Sequence, residues 1–118
     1  MGDKLFWEFY TEYGDEDVFS VFKDSLNLGI IFIDTAEIYG AGVSESLIGR
    51  FIAETKQPVF IATKFMPYPW RLSKSSLMIA LSKSLKRLGL PRVDISQIHT
   101  LNPLYRRLSG SRRWQNYK

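Results

Sequence analysis

Three apolar runs, each closing on ionisable residues, set the pattern of this chain. Gly29-Ile30-Ile31-Phe32-Ile33 leads into Asp34-Thr35-Ala36-Glu37-Ile38-Tyr39-Gly40. Val59-Phe60-Ile61-Ala62-Thr63 ends in Lys64, and Val93-Asp94-Ile95-Ser96-Gln97-Ile98 ends in His99. Short runs rich in β-branched and aromatic residues, opened by Gly or Pro, predict strands buried on both faces. Lys64 follows Asp34 by 30 residues and His99 follows Lys64 by 35, an interval that suits one strand–helix–strand unit each.

The segments between the runs carry helical periodicity. Asp15-Glu16-Asp17 places acids in a first turn, where they complement the positive end of the helix dipole. Val18, Phe19, Phe22 and Leu26 follow at helical spacing, with Gly29 just past the end. In the next helix Ser44 is the expected N-cap and Glu45 a first-turn acid. Leu47, Ile48, Phe51 and Ile52 form its apolar face. Gly49 in its middle costs about 1 kcal/mol against Ala, which implies close packing there. A third helix is expected to start near Ser73 or Ser75. It buries Leu77, Ala80, Leu81, Leu85 and Leu88, leaves Lys74, Lys83, Lys86 and Arg87 in solvent, and stops at Gly89 and Pro91. Pro67 and Pro69 keep Phe65–Arg71 extended. Residues 1–14, with Phe6, Trp7, Phe9, Tyr10 and Tyr13, lack periodicity and read as a loop packed over the fold.

Helix–strand alternation of this kind predicts an α/β fold, a parallel sheet with helical crossovers. No glycine-rich phosphate loop follows a strand, which disfavours Rossmann and P-loop sites. Strands that each end in ionisable groups suit a (β/α)8 TIM barrel, whose usual length is about 250 residues. The chain has 118. It is therefore expected to form a partial barrel, roughly the first half, over residues 1–100. Residues 101–118 are expected to be a basic, disordered tail.

Composition narrows the function classes. No apolar run approaches the ~20 residues that span a bilayer, and residues 1–8 lack a signal-peptide hydrophobic stretch. Cysteine is absent, which removes disulfides and thiolate metal sites; no metal site is expected, and the composition fits a reducing compartment. The expected location is the cytoplasm, or a plastid for a longer precursor. The net charge of +4 is unevenly placed. Arg106, Arg107, Arg112, Arg113 and Lys118 give residues 101–118 a charge of +5, so the remainder sums to −1. A nucleic-acid partner is therefore not expected for the main body, and the basic tail is the only feature favouring one.

The strand ends carry the chemistry. In parallel β/α folds, reactive groups collect at the carboxyl ends of the strands. A free phenol, with a pKa of about 10, donates protons poorly near neutrality. A neighbouring ammonium such as Lys64 favours the phenolate. Asp34 would fix Lys64 and keep it charged, and His99 would bond a substrate oxygen or orient the phenol of Tyr39. Such a set suits carbonyl reduction or its reverse, which needs a hydride-donating cofactor. Each residue has a plain structural alternative: Asp34 and Lys64 as an ion pair at a barrel rim, His99 as a structural histidine, Tyr39-Gly40 as a turn. The coincidence of four suitable groups at one end of three strands favours a site.

Phe32–Gly40, followed by Gly42, Ser44-Glu45 and Leu47-Ile48-Gly49, resembles the aldo-keto reductase signature around its catalytic Asp and Tyr. Ile61-Ala62-Thr63-Lys64 resembles that family's lysine strand. Ser84–Gly89, Val93-Asp94-Ile95 and Gln97-Ile98-His99 resemble its third helix and histidine strand. The resemblance spans residues 14–99. It implies an NADPH-dependent oxidoreductase of aldehydes or ketones with Asp34, Tyr39, Lys64 and His99 as catalytic tetrad and Tyr39 as general acid. Asp34 and Tyr39 would also lie near the nicotinamide, and Trp70 would line the substrate cleft. The departures are Ser96, where an aromatic residue is common, and everything after His99. The family builds most of its cofactor pocket from the second half of the barrel, which this sequence does not carry. Two alternatives follow: a truncated non-catalytic form that associates with itself or a full-length relative, and a weak nucleic-acid or acidic-surface binder acting through the tail.

Overall fold

The computed structural model describes residues 14–71 and 73–100. The expectations for the aromatic N-terminal segment and the basic tail lie outside these residues. Helix α1 spans Asp15–Asn27, strand β1 Phe32–Asp34, helix α2 Val43–Thr55, strand β2 Phe60–Phe65, helix α3 Lys74–Leu88 and strand β3 Ile95–Ile98. The strands form one parallel sheet in the order β1-β2-β3, with Asp34 opposite Ala62 and Lys64 opposite Gln97. The alternation predicted from the apolar runs is present.

Local chemistry accounts for the helix ends. Gly14 precedes α1, and its amide donates to the Asp17 carboxylate at 3.0 Å, so the acidic first turn both caps the helix and complements its dipole. Ser73 caps α3, its hydroxyl accepting from the Ser76 amide at 3.1 Å. The expected cap at Ser44 is not found. Helix α2 starts two residues earlier than that cap implies, at Val43 behind Gly42. The Ser44 hydroxyl turns instead to Thr35 Oγ1 at 3.0 Å, tying the helix start to the end of β1.

The helices cover one face of the sheet. Phe22, Leu26, Leu47 and Phe51 make the main apolar cluster, with Phe19, Ile33, Ile52 and Val59 against it. The Phe51 ring lies 4.9 Å from that of Phe19 and 5.4 Å from that of Phe22. Gly49 is where α2 meets the last turn of α3: a Cβ there would lie 2.5 Å from the Leu88 carbonyl oxygen. The close packing inferred from this glycine is real.

The other face of the sheet is open. Phe32 is 51% exposed and Phe60 53%, with Ile30 and Ile95 exposed on the same side; Ile31 and Ile98, of the opposite parity, are exposed at the sheet's edges. This overturns the expectation of strands buried on both faces. Among the described strands β2, flanked on both sides, is the buried one: Ile61, Thr63 and Phe65 are covered on the helix side, and the small Ala62 is covered on the other. The opposite face, carrying Phe32 beside Phe60 and Ile95 beside Ala62, is the interior of a closed barrel, and three strands cannot close one. Among the described residues, no helix is long and apolar enough to cross a membrane.

Candidate active site

The sheet delivers its polar groups to one end because parallel strands in register end together. Asp34 closes β1, Lys64 is the penultimate residue of β2, and His99 follows β3, its amide donating to the Phe65 carbonyl at 2.8 Å. Beyond β1 the chain stays bound to β2: the Thr35 amide donates to the Ala62 carbonyl at 2.9 Å and the Glu37 amide to the Lys64 carbonyl at 3.3 Å. This carries Tyr39 back over the strand that holds Lys64.

The Lys64 ammonium is the hub. It donates to Asp34 Oδ2, to the Thr35 carbonyl at 3.1 Å and to the Tyr39 hydroxyl at 3.3 Å. These contacts engage its three N–H donors. Its Nζ also sits 5.0 Å from the centre of the Tyr39 ring. The Lys64 side chain is 15% exposed, that of Asp34 47%. Burial pulls the ammonium toward its neutral form, but hydrogen bonds and charge attraction from Asp34 and Tyr39 outweigh it, leaving the Lys64 pKa above its ordinary 10.5. The group is a permanent cation at neutral pH. The His99 ring meets the Tyr39 ring edge-on, centroids 5.6 Å apart at 82°. His99 Nδ1 is buried and has no hydrogen-bond partner among the described residues.

The structure thus brings Asp34, Tyr39, Lys64 and His99 together. Trp70 lies in the loop after β2, stacked on Tyr68 with ring centroids 5.0 Å apart and planes within 1°, and it is 76% exposed.

Tyr39 opens a 3-10 turn, Tyr39–Gly42, in which Gly40, Ala41 and Gly42 all have positive φ, of 57°, 55° and 95°. That path is costly for Ala41, and neighbours must hold it. Arg87 lies against it: a Cβ on Gly42 would meet Arg87 Cδ at 2.7 Å. Arg87 is itself anchored by Glu45, which is completely buried, through Nε–Oε2 at 2.7 Å and Nη2–Oε2 at 2.6 Å. The other Glu45 oxygen accepts from Thr63 Oγ1 at 2.6 Å.

Sequence reasoning left Arg87 in solvent and gave Glu45 only a dipole role. Both assignments fail because the last turn of α3 packs on the first turn of α2, where a buried carboxylate needs a charged partner. Glu37 and Arg71 were also missed. They form a two-pronged pair at 2.9 and 3.0 Å, and Glu37 Oε1 further accepts from the Met66 amide at 2.7 Å. The available signal was the position of Glu37, an acid set between Asp34 and Tyr39.

Parallel β/α units with ionisable groups gathered at the strand carboxyl ends define a segment of a (β/α)8-type fold. The chain belongs to the aldo/keto reductase family, whose model matches residues 2–109. It is 37% identical over 108 residues to the chloroplastic pyridoxal reductase of Arabidopsis thaliana, a match covering 83% of this chain and 29% of that protein. Among solved structures it resembles a thermostable aldo-keto reductase in complex with the inhibitor epalrestat, at 38% identity and a TM-score of 0.67, covering 75% of this chain and 32% of the other. It likewise resembles an aldo-keto reductase from Klebsiella pneumoniae in complex with NADPH, at 26% identity and a TM-score of 0.67, covering 75% and 30%. The chain spans roughly a third of the length of these relatives.

Proposed function

We propose that this chain carries the proton-donating half of an NADPH-dependent reductase of aldehydes or ketones. The observation that carries this reading is the Lys64 ammonium bonded at once to Asp34 and to the Tyr39 hydroxyl. Because the phenol oxygen accepts from a cation, negative charge developing on it is stabilised, and its own O–H is the acid that protonates a carbonyl oxygen. Asp34 holds Lys64 in place and keeps it charged. His99, edge-on to Tyr39, would supply a second polar contact for the same substrate oxygen through Nε2, its Nδ1 being buried.

This donor set fits a reduced nicotinamide. It provides a proton and stabilises an alkoxide, but cannot itself reduce a carbonyl. NADPH, bound in the structure of the Klebsiella pneumoniae relative, supplies a hydride. Asp34 and Tyr39 are the residues here that would lie against its nicotinamide. Trp70, exposed at the same end of the sheet, offers a flat apolar wall to the substrate. Pyridoxal, the compound named for the Arabidopsis relative, is an aromatic aldehyde and fits that wall.

Titrating the purified chain into NADPH and following cofactor fluorescence tests the reading. Saturable binding, with turnover abolished and affinity retained in Tyr39→Phe, supports it. A chain that shows no saturable binding does not act as a reductase by itself, and turnover surviving in Tyr39→Phe rules out the proposed acid.

The open sheet face favours a second reading, a non-catalytic form whose exposed Phe32, Phe60 and Ile95 are covered by another copy or a full-length relative. Sedimentation at several concentrations separates the two: association that grows with concentration supports this reading, and a monomer throughout ends it for self-association.

A further inference from the structure

Tyr39 and Trp70 sit in different loops, and one pair of side chains joins those loops. Glu37, two residues before Tyr39, is nearly buried and accepts both prongs of Arg71, the residue after Trp70, at 2.9 and 3.0 Å. The same carboxylate accepts from the Met66 amide at 2.7 Å, at the start of the second loop. The first loop is thus fastened to both ends of the second. Arg71 also lies over two rings, its guanidinium carbon 4.6 Å from the centre of Phe65 and 5.9 Å from that of Tyr68. Tyr68 in turn carries Trp70 face to face. The sequence Glu37–Arg71–Tyr68–Trp70 is a continuous chain of contacts from the turn that holds the phenol to an exposed indole. Salt bridges between exposed side chains contribute little, but a two-pronged pair of this burial fixes orientation as well as distance.

We propose that Glu37 and Arg71 are positioning residues that hold the Tyr68–Trp70 stack as a platform for one planar aromatic ring, in register with Tyr39. This rests on the reading of Trp70 as a substrate wall, and it adds the device that sets its angle. The free face of the indole is apolar, flat and rigidly backed, so its ligand class is aromatic aldehydes and ketones rather than aliphatic ones. An aliphatic chain gains contact area on such a surface but no stacking.

The test needs neither cofactor nor turnover. In the full chain with Trp7→Phe and Trp114→Phe, Trp70 is the sole remaining tryptophan, and its quenching by 4-nitrobenzaldehyde reads the platform directly. The expected result is saturable quenching, displaced by benzaldehyde but not by butanal. Glu37→Gln and Arg71→Lys should each weaken it about tenfold, the scale on which a lost stacking contact registers. The double variant should weaken it no further, because the pair acts as a unit. Arg50→Gln, which removes the exposed Arg50–Asp15 pair, is the control for a merely structural loss and should leave quenching unchanged. Should Glu37→Gln lose its far-ultraviolet circular dichroism, Arg71→Lys carries the test, since it keeps the charge and loses only the fork. Linear, unsaturable quenching of the parent overturns the platform. Unchanged affinity in Arg71→Lys overturns the clamp. Failure of the reductase reading appears separately, as absence of NADPH binding in a chain whose Trp70 still saturates.

Discussion

Replacing Gly49 with alanine sets two effects of opposite sign against each other. In an isolated helix the change favours folding by about 1 kcal/mol, because glycine loses more backbone freedom than alanine on becoming helical. Here the new Cβ would lie 2.5 Å from the Leu88 carbonyl oxygen, 2.7 Å from its carbon and 2.8 Å from its Cα. All three are backbone atoms in the last turn of α3, so no side-chain rotation relieves the contact, and the two helices must move apart by several tenths of an ångström. Overpacking of this kind costs about 1–3 kcal/mol, and an obstacle made of backbone belongs in the upper half of that range. The net expectation is a loss of about 1–2 kcal/mol. Moving α3 also strains the Glu45–Arg87 pair, which crosses the same contact. In urea unfolding followed by circular dichroism, the midpoint should fall by about 1 M with the slope unchanged. A midpoint equal to or above that of the parent refutes the reasoning, since propensity would then have outweighed the clash.

Two further substitutions test the site. Glu45→Gln leaves Arg87 facing a neutral amide at a position where the carboxylate was wholly buried. It should cost about 2–3 kcal/mol, below the full range for a broken buried pair because Arg87 keeps some contact with water; a change under about 0.5 kcal/mol in urea unfolding contradicts this. The Lys64 pKa is raised above 10.5 on folding. The stability that Lys64 gains from Asp34 and Tyr39 is therefore fully present below pH 10.5 and is lost as pH climbs through the higher folded value. The gap in melting temperature between the parent and Lys64→Met should be flat from pH 7 to 9 and change only in stronger alkali. A gap that already changes between pH 7 and 8 points to another group.

The chemical inventory of the site was legible in the linear chain. Apolar runs of strand length, each closing on Asp34, Lys64 or His99, place those residues at one end of any parallel sheet built from them, because strands in register end together. Tyr39 stood out as the phenol in the polar stretch after Asp34, and the family resemblance named it the acid. The ends of α1 and α3 were equally readable, since Asp15–Asp17, Ser73 and Gly89 act locally on the backbone beside them.

What local pattern could not give was the set of contacts made across elements. Glu45 and Arg87 are 42 residues apart and Glu37 and Arg71 are 34 apart, and each looks alone like an ordinary surface charge. Only the approach of α3 to α2, and of one loop to the next, removes water from them and makes the pairing necessary. Burial of the strands likewise depended on neighbours rather than on the residues. The run Ile30–Ile33 has the composition of a strand covered on both sides, yet Phe32 and Phe60 face solvent because the face they share is closed only by a complete barrel. Hydrophobicity determined which residues require cover. The tertiary structure decided which of them have it.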